Sequence, residues 1–245
     1  MSLLHSSSRV IFDIGSNNGD DIPYYLLKAE RVVAVEANPA LCDAIATRFS
    51  DQISSGRLIV ENAALINGSE GCVDFFIHNK YHVLSSLSKT AFPDSDFAKI
   101  EVRATNIHRL VEQYGSPFYA KIDVEGADEA VLESFHESAV KPPYISAESH
   151  KLGVFALLSE KLGYQSFKLV DGRSVSTVYK HVIIPSPVRQ QMVAYSFPHH
   201  SAGPFGNDIY GEWMDKATLL KVLALQGLGW RDIHASAIDR PTLSY

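Results

Sequence analysis

Three short apolar runs fall within the first 65 residues, each closing on polar residues and separated by helix-length stretches. No other feature restricts the fold of this chain as much. RVIFDI (9–14) reads as a buried parallel strand that stops at an acid and a glycine turn. Residues 20–30 read as a helix, with Asp20 or Asp21 as its cap and Pro23 in its first turn. VVAVE (32–36) is a second buried strand. Asn38-Pro39 opens a helix that carries Leu41, Ile45 and Phe49 at helical spacing, and RLIVENAAL (57–65) is a third strand running into a loop. A β-α-β-α-β series of this kind predicts a parallel sheet with helices on its faces.

The pattern then loosens. CVDFFIH (72–78) alternates like a half-buried strand, 79–98 reads as a loop, and IEVRA (100–104) as a short strand. A helix over 105–114 carries Ile107, Leu110, Val111 and Tyr114 on one side. FYAKIDVEG (118–126) is a strand ending in acids, followed by a helix over 127–135. YISAESH (144–150) is a strand, 152–162 a helix, and YQSFKLV (164–170) and TVYKHVIIP (177–185) are two more strands. The texture changes after Pro185. Residues 1–185 read as one domain and 186–245 as its C-terminal appendage, with a helix at 216–226 as anchor. Tyr195, Phe197, Phe205 and Tyr210 among the glycines of 186–212 suggest either a lid over an acceptor or a subunit-contact arm, hence a possible homo-oligomer.

The chain has 245 residues, 46% of them hydrophobic, enough to bury a full core. Its 22 basic and 28 acidic residues leave a net charge of −6, which argues against nucleic acid as a partner. No apolar run is long enough to span a bilayer, and MSLLHSSSR lacks the apolar centre of a signal peptide. The expectation is a soluble, cytoplasmic protein that does not bind membranes. Cys42 and Cys72 read as two free core thiols. His5, His78 and His108 read as ordinary surface residues.

Three stretches carry chemistry. FDIGSNNG (12–19) has the spacing D-x-G-x-x-x-G through Asp13, Gly15 and Gly19. Gly15 allows a sharp turn after the strand and Gly19 lets the next helix pack close, so the turn offers backbone N–H groups to a ligand. Asn17 stands where a pyrophosphate-binding turn has its middle glycine, and Asp13 would repel a phosphate but welcome an ammonium group. Glu36, 21 positions after Gly15, can accept hydrogen bonds from both hydroxyls of a ribose. KIDVEGAD (121–128) and AESH (147–150) place Asp123, Glu125, Glu148 and His150 at strand ends, where open parallel sheets build their active crevices. A simpler role for Asp123 and Glu125 is to cap the next helix.

FDIGSNNG, VVAVEANP, SSL (85–87) and KIDVEGAD, in this order and spacing over residues 9–150, resemble the FkbM family of methyltransferases, with KIDVEGA the most specific string. The resemblance implies an α/β fold of the class I, Rossmann-like methyltransferase type. Its sheet has seven mostly parallel strands, the last antiparallel, with helices on both faces; 164–170 and 177–185 would supply strands six and seven. It implies S-adenosylmethionine as cofactor. Asp13, Gly15, Ser16, Asn17, Gly19, Glu36, Ala37 and Asp123 would hold it, and Asn62 and Ala63 would lie against the adenine. Asp128 stands where the family pattern has Glu. The implied reaction is methyl transfer to a hydroxyl of a small-molecule, sugar or natural-product acceptor.

An alcohol acceptor must lose a proton, so a general base helps; His150 is the first choice, with Asp123 and Glu125 as alternatives. Asp123, Glu148 and His150 could instead converge on a divalent metal, but no tight ligand spacing demands one, and no metal is assigned. Two other readings stay open: an NAD-binding oxidoreductase or epimerase, and a non-catalytic module that keeps the turn for stability.

Overall fold

The computed structural model describes residues 9–88 and 93–238; His5 lies outside them. The first strands form as the apolar runs require. β1 (Val10–Ile14), β2 (Arg31–Glu36) and β3 (Leu58–Asn62) are joined by α1 (Ile22–Lys28), α2 (Pro39–Arg48) and α3 (Ser50–Ser54). β1 pairs in parallel with β2, and β2 with β3, in a register that sets Asp13 beside Ala34 and Glu36 beside Asn62. The 57–65 run is not one strand. After β3 the chain turns into β4 (Ala64–Leu65), which joins a separate three-stranded sheet with β5 (Gly71–His78) and β6 (Phe97–Thr105), in the order β4-β6-β5.

The chain returns to the main sheet through α4 (Ile107–Tyr114) and β7 (Tyr119–Ile122). It continues with α5 (Asp128–Glu137), β8 (Tyr144–Glu148), α6 (Leu152–Ala156) with a π turn to Lys161, and β9 (Ser166–Asp171). α7 (Val175–Val178), the hairpin of β10 (Val182–Ser186) and β11 (Gln191–Tyr195), α8 (Lys216–Gln226) and β12 (Arg231–Ser236) complete it. The main sheet has seven strands in the order β3-β2-β1-β7-β8-β12-β9. Only β12 is antiparallel to its neighbours, β8 and β9. This is the class I, Rossmann-like architecture expected.

One strand assignment is overturned. Residues 177–185 do not supply the antiparallel strand. They leave α7 and enter β10, which pairs with β11 in a two-stranded sheet of its own. The seventh strand is β12, from the stretch WRDIHA. The boundary expected at 185/186 therefore falls inside β10, and the C-terminal segment completes the central sheet.

Alternation along buried strands feeds two cores. Phe12, Ile14, Val33, Val35, Ile122, Ile145 and Ile233 pack with α4, α5, α6 and α8 on one face. Ile11, Val32, Ala34, Tyr119 and Tyr144 pack with α1 and α2 on the other. Phe197, Phe205 and Ile209 are buried in this second core. Phe205 stacks on Tyr119 with ring centroids 4.0 Å apart, a contact worth about 1 kcal/mol beyond its burial. Lys28 pairs with Asp208 at 2.8 Å, both nearly buried. The segment that suggested a lid or an arm thus packs against α1 and the sheet.

Other side chains depart from expectation. Asp21 sits at the cap position of α1 but makes no capping bond. Its carboxylate accepts instead from the Ser201 hydroxyl and the Ala202 N–H, because a distant segment reaches it. Cys42 is buried but Cys72 is exposed on β5, so only one thiol belongs to the core. His78 is buried, not a surface residue, because its Nδ1 accepts from the N–H groups of Lys80 and Tyr81 and holds a turn. His108 is exposed. No helix among the described residues is long and apolar enough to cross a membrane.

Candidate active site

The β1–α1 turn sits at the carboxyl end of β1, where the strand order reverses between β2 and β7. Open α/β sheets bind ligands at such points. Gly15 has φ +79°, and a Cβ there would lie 1.8 Å from the Asp123 carbonyl oxygen. The glycine lets this turn meet the chain leaving β7. Gly19, φ +77°, would place a Cβ against Ile22, Ile45 and Phe49, so it serves helix packing. The Ser16 hydroxyl donates to the Asp13 carbonyl and is spent inside the turn.

Glu36 is buried at the end of β2. One of its oxygens accepts from the Asn17 N–H and the other from the Asn38 N–H, each at 2.8 Å. Burial pushes its pKa up to about 6 against the pull of these donors. Each oxygen keeps a second lone-pair site for a ligand hydroxyl. The Asn62 amide donates to the carbonyls of Glu36 and Ala37, clamping the chain after β2.

Asp13 is fully buried beneath the turn and neither carboxylate oxygen has a hydrogen bond. Lys121, on the neighbouring β7, is its counter-charge at 3.8 Å. The same ammonium lies 3.1 Å from Asp123 and donates to the Gly15 carbonyl at 2.8 Å. Burial works against that charge, but Asp123, Asp13 and Asp21 outweigh it and raise the Lys121 pKa well above the ordinary value.

A cleft opens beside the turn. Gly15, Asn17, Glu36, Ala37, Ala63, Asp123 and Glu125 line it on one side, and Phe75, His82, Val83 and Leu87 on another. Asp13, Ser16, Gly19, Asn62 and His150 are not part of its wall. Among the described residues that line it, none is Lys or Arg. Asn17, at φ +50°, holds a buried side-chain oxygen with no partner.

A second group of acids adjoins this cleft. Carboxylate oxygens of Asp123, Glu125 and Glu148 all lie within 4.8 Å of one another. Neither Asp123 nor Glu125 caps α5, which has no side-chain cap; Glu125 sits at φ +38° instead. The buried Ser86 hydroxyl donates to the Glu125 carbonyl at 2.7 Å, tying the SSL stretch to this loop. Burial and the neighbouring acids push Glu125 up to about 7, Asp128 up to about 6, and Glu148 and Asp232 far above the carboxylate range. His150 lies beyond the end of β8, half-exposed, with Nε2 3.4 Å from Glu148.

Lys121, Ser86 and Asp232 were not singled out by sequence reasoning. Lys121 opens the KIDVEGAD string and Ser86 stands within SSL, yet neither was given a role there; the roles of all three come from contacts between elements distant in sequence.

A Rossmann-like sheet with a crevice lined by hydrogen-bond acceptors at its switch point is a framework for binding a small ligand. The Methyltransferase FkbM domain model matches residues 13–165, and the chain belongs to that family of methyltransferases. Among solved structures, methyltransferase FkbM from Methylobacillus flagellatus is 17% identical with a TM-score of 0.45, over 66% of this chain and 40% of that one. This chain therefore matches less than half of that protein's length. A SAM-dependent O-methyltransferase from Thermotoga maritima is 9% identical with a TM-score of 0.41, over 95% of this chain and 60% of that one. Precorrin 8w decarboxylase from Methanobacterium thermoautotrophicum is 9% identical with a TM-score of 0.42, over 94% and 82%. No curated protein sequence matches the chain.

Proposed function

We propose that the chain transfers a methyl group from S-adenosylmethionine to a hydroxyl oxygen of a small-molecule, sugar or natural-product acceptor. The observation that carries the cofactor is the chemistry of the cleft. It offers acceptors, namely the Glu36 carboxylate and the unpartnered Asn17 oxygen, and no Lys or Arg. Such a wall suits a ligand rich in hydroxyl and ammonium donors and disfavours the pyrophosphate of a dinucleotide.

The residues divide the work. Glu36 would hold the ribose hydroxyls, Ala37 and Ala63 would lie against the base, and Gly15, Asn17 and Asp123 would face the amino acid end. Asp13 acts from beneath, through Lys121 and the Gly15 carbonyl that Lys121 holds. When bound, the cofactor would supply an activated sulfonium methyl for transfer to the acceptor oxygen. His150, beside Glu148, takes the acceptor's proton, with Asp123 and Glu125 positioning the acceptor.

Calorimetry with adenosylhomocysteine and with NAD tests the cofactor. Adenosylhomocysteine is expected to bind the tighter of the two; NAD binding more tightly, or neither binding, would sink the reading. Profiling of methylated products then addresses the acceptor.

A further inference from the structure

The acids at the ends of β7, β8 and β12 exceed what an alcohol acceptor needs. Asp123, Glu125 and Glu148 bring carboxylate oxygens within 4.8 Å of one another from two strands. Their nearest fixed cation, Lys121, reaches only Asp123, at 3.1 Å. Lys151 is engaged elsewhere, with the Gly126 carbonyl and Glu129. Glu148 is 6% exposed and accepts no hydrogen bond among the described residues; His150 touches it from the solvent side at 3.4 Å.

A separate observation comes from β12. Asp232 is 8% exposed and has no hydrogen bond or ion pair among the described residues. It stands directly opposite Glu148 in the antiparallel register, so both side chains leave the sheet on the same face. A second buried carboxylate, beside Glu148, thus joins the two half-buried ones, Asp123 and Glu125. A buried carboxylate without a partner is normally protonated or bound to metal.

We propose that Asp123, Glu125 and Glu148 form a binding site for a divalent, oxygen-preferring cation, with Asp232 adding negative charge behind Glu148. All-carboxylate donors select hard ions such as Mg²⁺, Mn²⁺ or Ca²⁺ over Zn²⁺ or Cu²⁺. Ligand oxygens around such ions lie about 3–5 Å apart, as the ion–oxygen distances require, and the cluster fits that span. The backbone holds the ligands ready: Glu125 is fixed at φ +38° and its carbonyl is tied by Ser86. Asp123 and Glu125 also line the cofactor cleft, so the ion sits at its wall. There it would bind the acceptor hydroxyl and ease loss of its proton. That catalytic consequence rests on the proposed methyl transfer, whereas ion binding itself does not.

The test is Mn²⁺ titration of the chelator-treated full chain, followed by loss of the free-ion EPR signal, without cofactor. One Mn²⁺ per chain is expected, displaced by excess Mg²⁺ or Ca²⁺. Glu148→Gln and Glu125→Gln should each weaken binding roughly tenfold or more, and His150→Ala should not. Circular dichroism checks that the variants fold; Glu125→Gln, at a less buried position, serves if Glu148→Gln does not. Absence of stoichiometric Mn²⁺ binding, or wild-type affinity in both Gln variants, would overturn the site. Adenosylhomocysteine calorimetry on the same samples separates the two ideas. Mn²⁺ binding without adenosylhomocysteine binding would defeat the cofactor reading alone, and the converse would defeat the cation site alone.

Discussion

Carboxylates are buried at the carboxyl ends of β1 and β2, and again on β8 and β12, but the protein treats the two groups differently. Glu36 has a backbone N–H on each oxygen, and Asp13 faces the Lys121 ammonium. Across the sheet, Glu148 and Asp232 face other acids and accept no hydrogen bond among the described residues. The first half answers its own charge before a ligand arrives. In the second, the proposed cation would supply the answer. The two halves meet at Lys121, which touches Asp13, Asp123 and the Gly15 carbonyl.

That shared position yields the largest expected effect. Lys121→Ala removes the ammonium from two acids at once and should cost about 3–5 kcal/mol of stability in urea unfolding. A variant as stable as the wild type would break the comparison at its hinge. Gly15→Ala follows, at about 3 kcal/mol, because its Cβ must clear the Asp123 carbonyl at a left-handed backbone position. Glu36→Ala should weaken adenosylhomocysteine binding by about 1–3 kcal/mol, while Glu148→Gln leaves it close to wild type. Equal losses in both would mean that the halves are not separate.

The smallest effect concerns His234, a base buried on β12 two residues beyond Asp232. Burial lowers its pKa to about 3, and neither ring nitrogen has a partner. The unfolded chain takes up this proton near the ordinary value of 6.5, the folded protein only near 3. Stability is therefore intact above about 6.5 and is lost as pH falls below it, by about 1 kcal/mol for the first full unit. His234→Phe should flatten this acid limb without moving Mn²⁺ affinity. An unchanged limb would show that the histidine does not govern it.

The first half was the legible one. Strand, turn and helix are consecutive in β1, α1 and β2, so the spacing of Asp13, Gly15 and Glu36 encodes their meeting. The second half is assembled from strands far apart in the chain. RDIHAS does not look like a buried strand because its Asp232 and His234 are polar, although both are buried. TVYKHVIIP looks like one, with its valines and isoleucines, yet its second half pairs with residues 191–195 and contacts α1. Composition marks a segment as strand-forming; which sheet it enters depends on neighbours that spacing does not reveal.

The place of β12 between β8 and β9 has a consequence for how the protein is made. β9 borders only β12 in the sheet, yet more than fifty residues separate the two in the chain. On the ribosome, β3, β2, β1, β7 and β8 can assemble as they emerge, while β9 waits without an edge to join. Until residues 231–236 arrive, β8 presents an open edge to any other nascent chain. Asp232 enters with that strand, so the β1–α1 turn can form before residues 231–236 are made, and the group of acids is complete only after them.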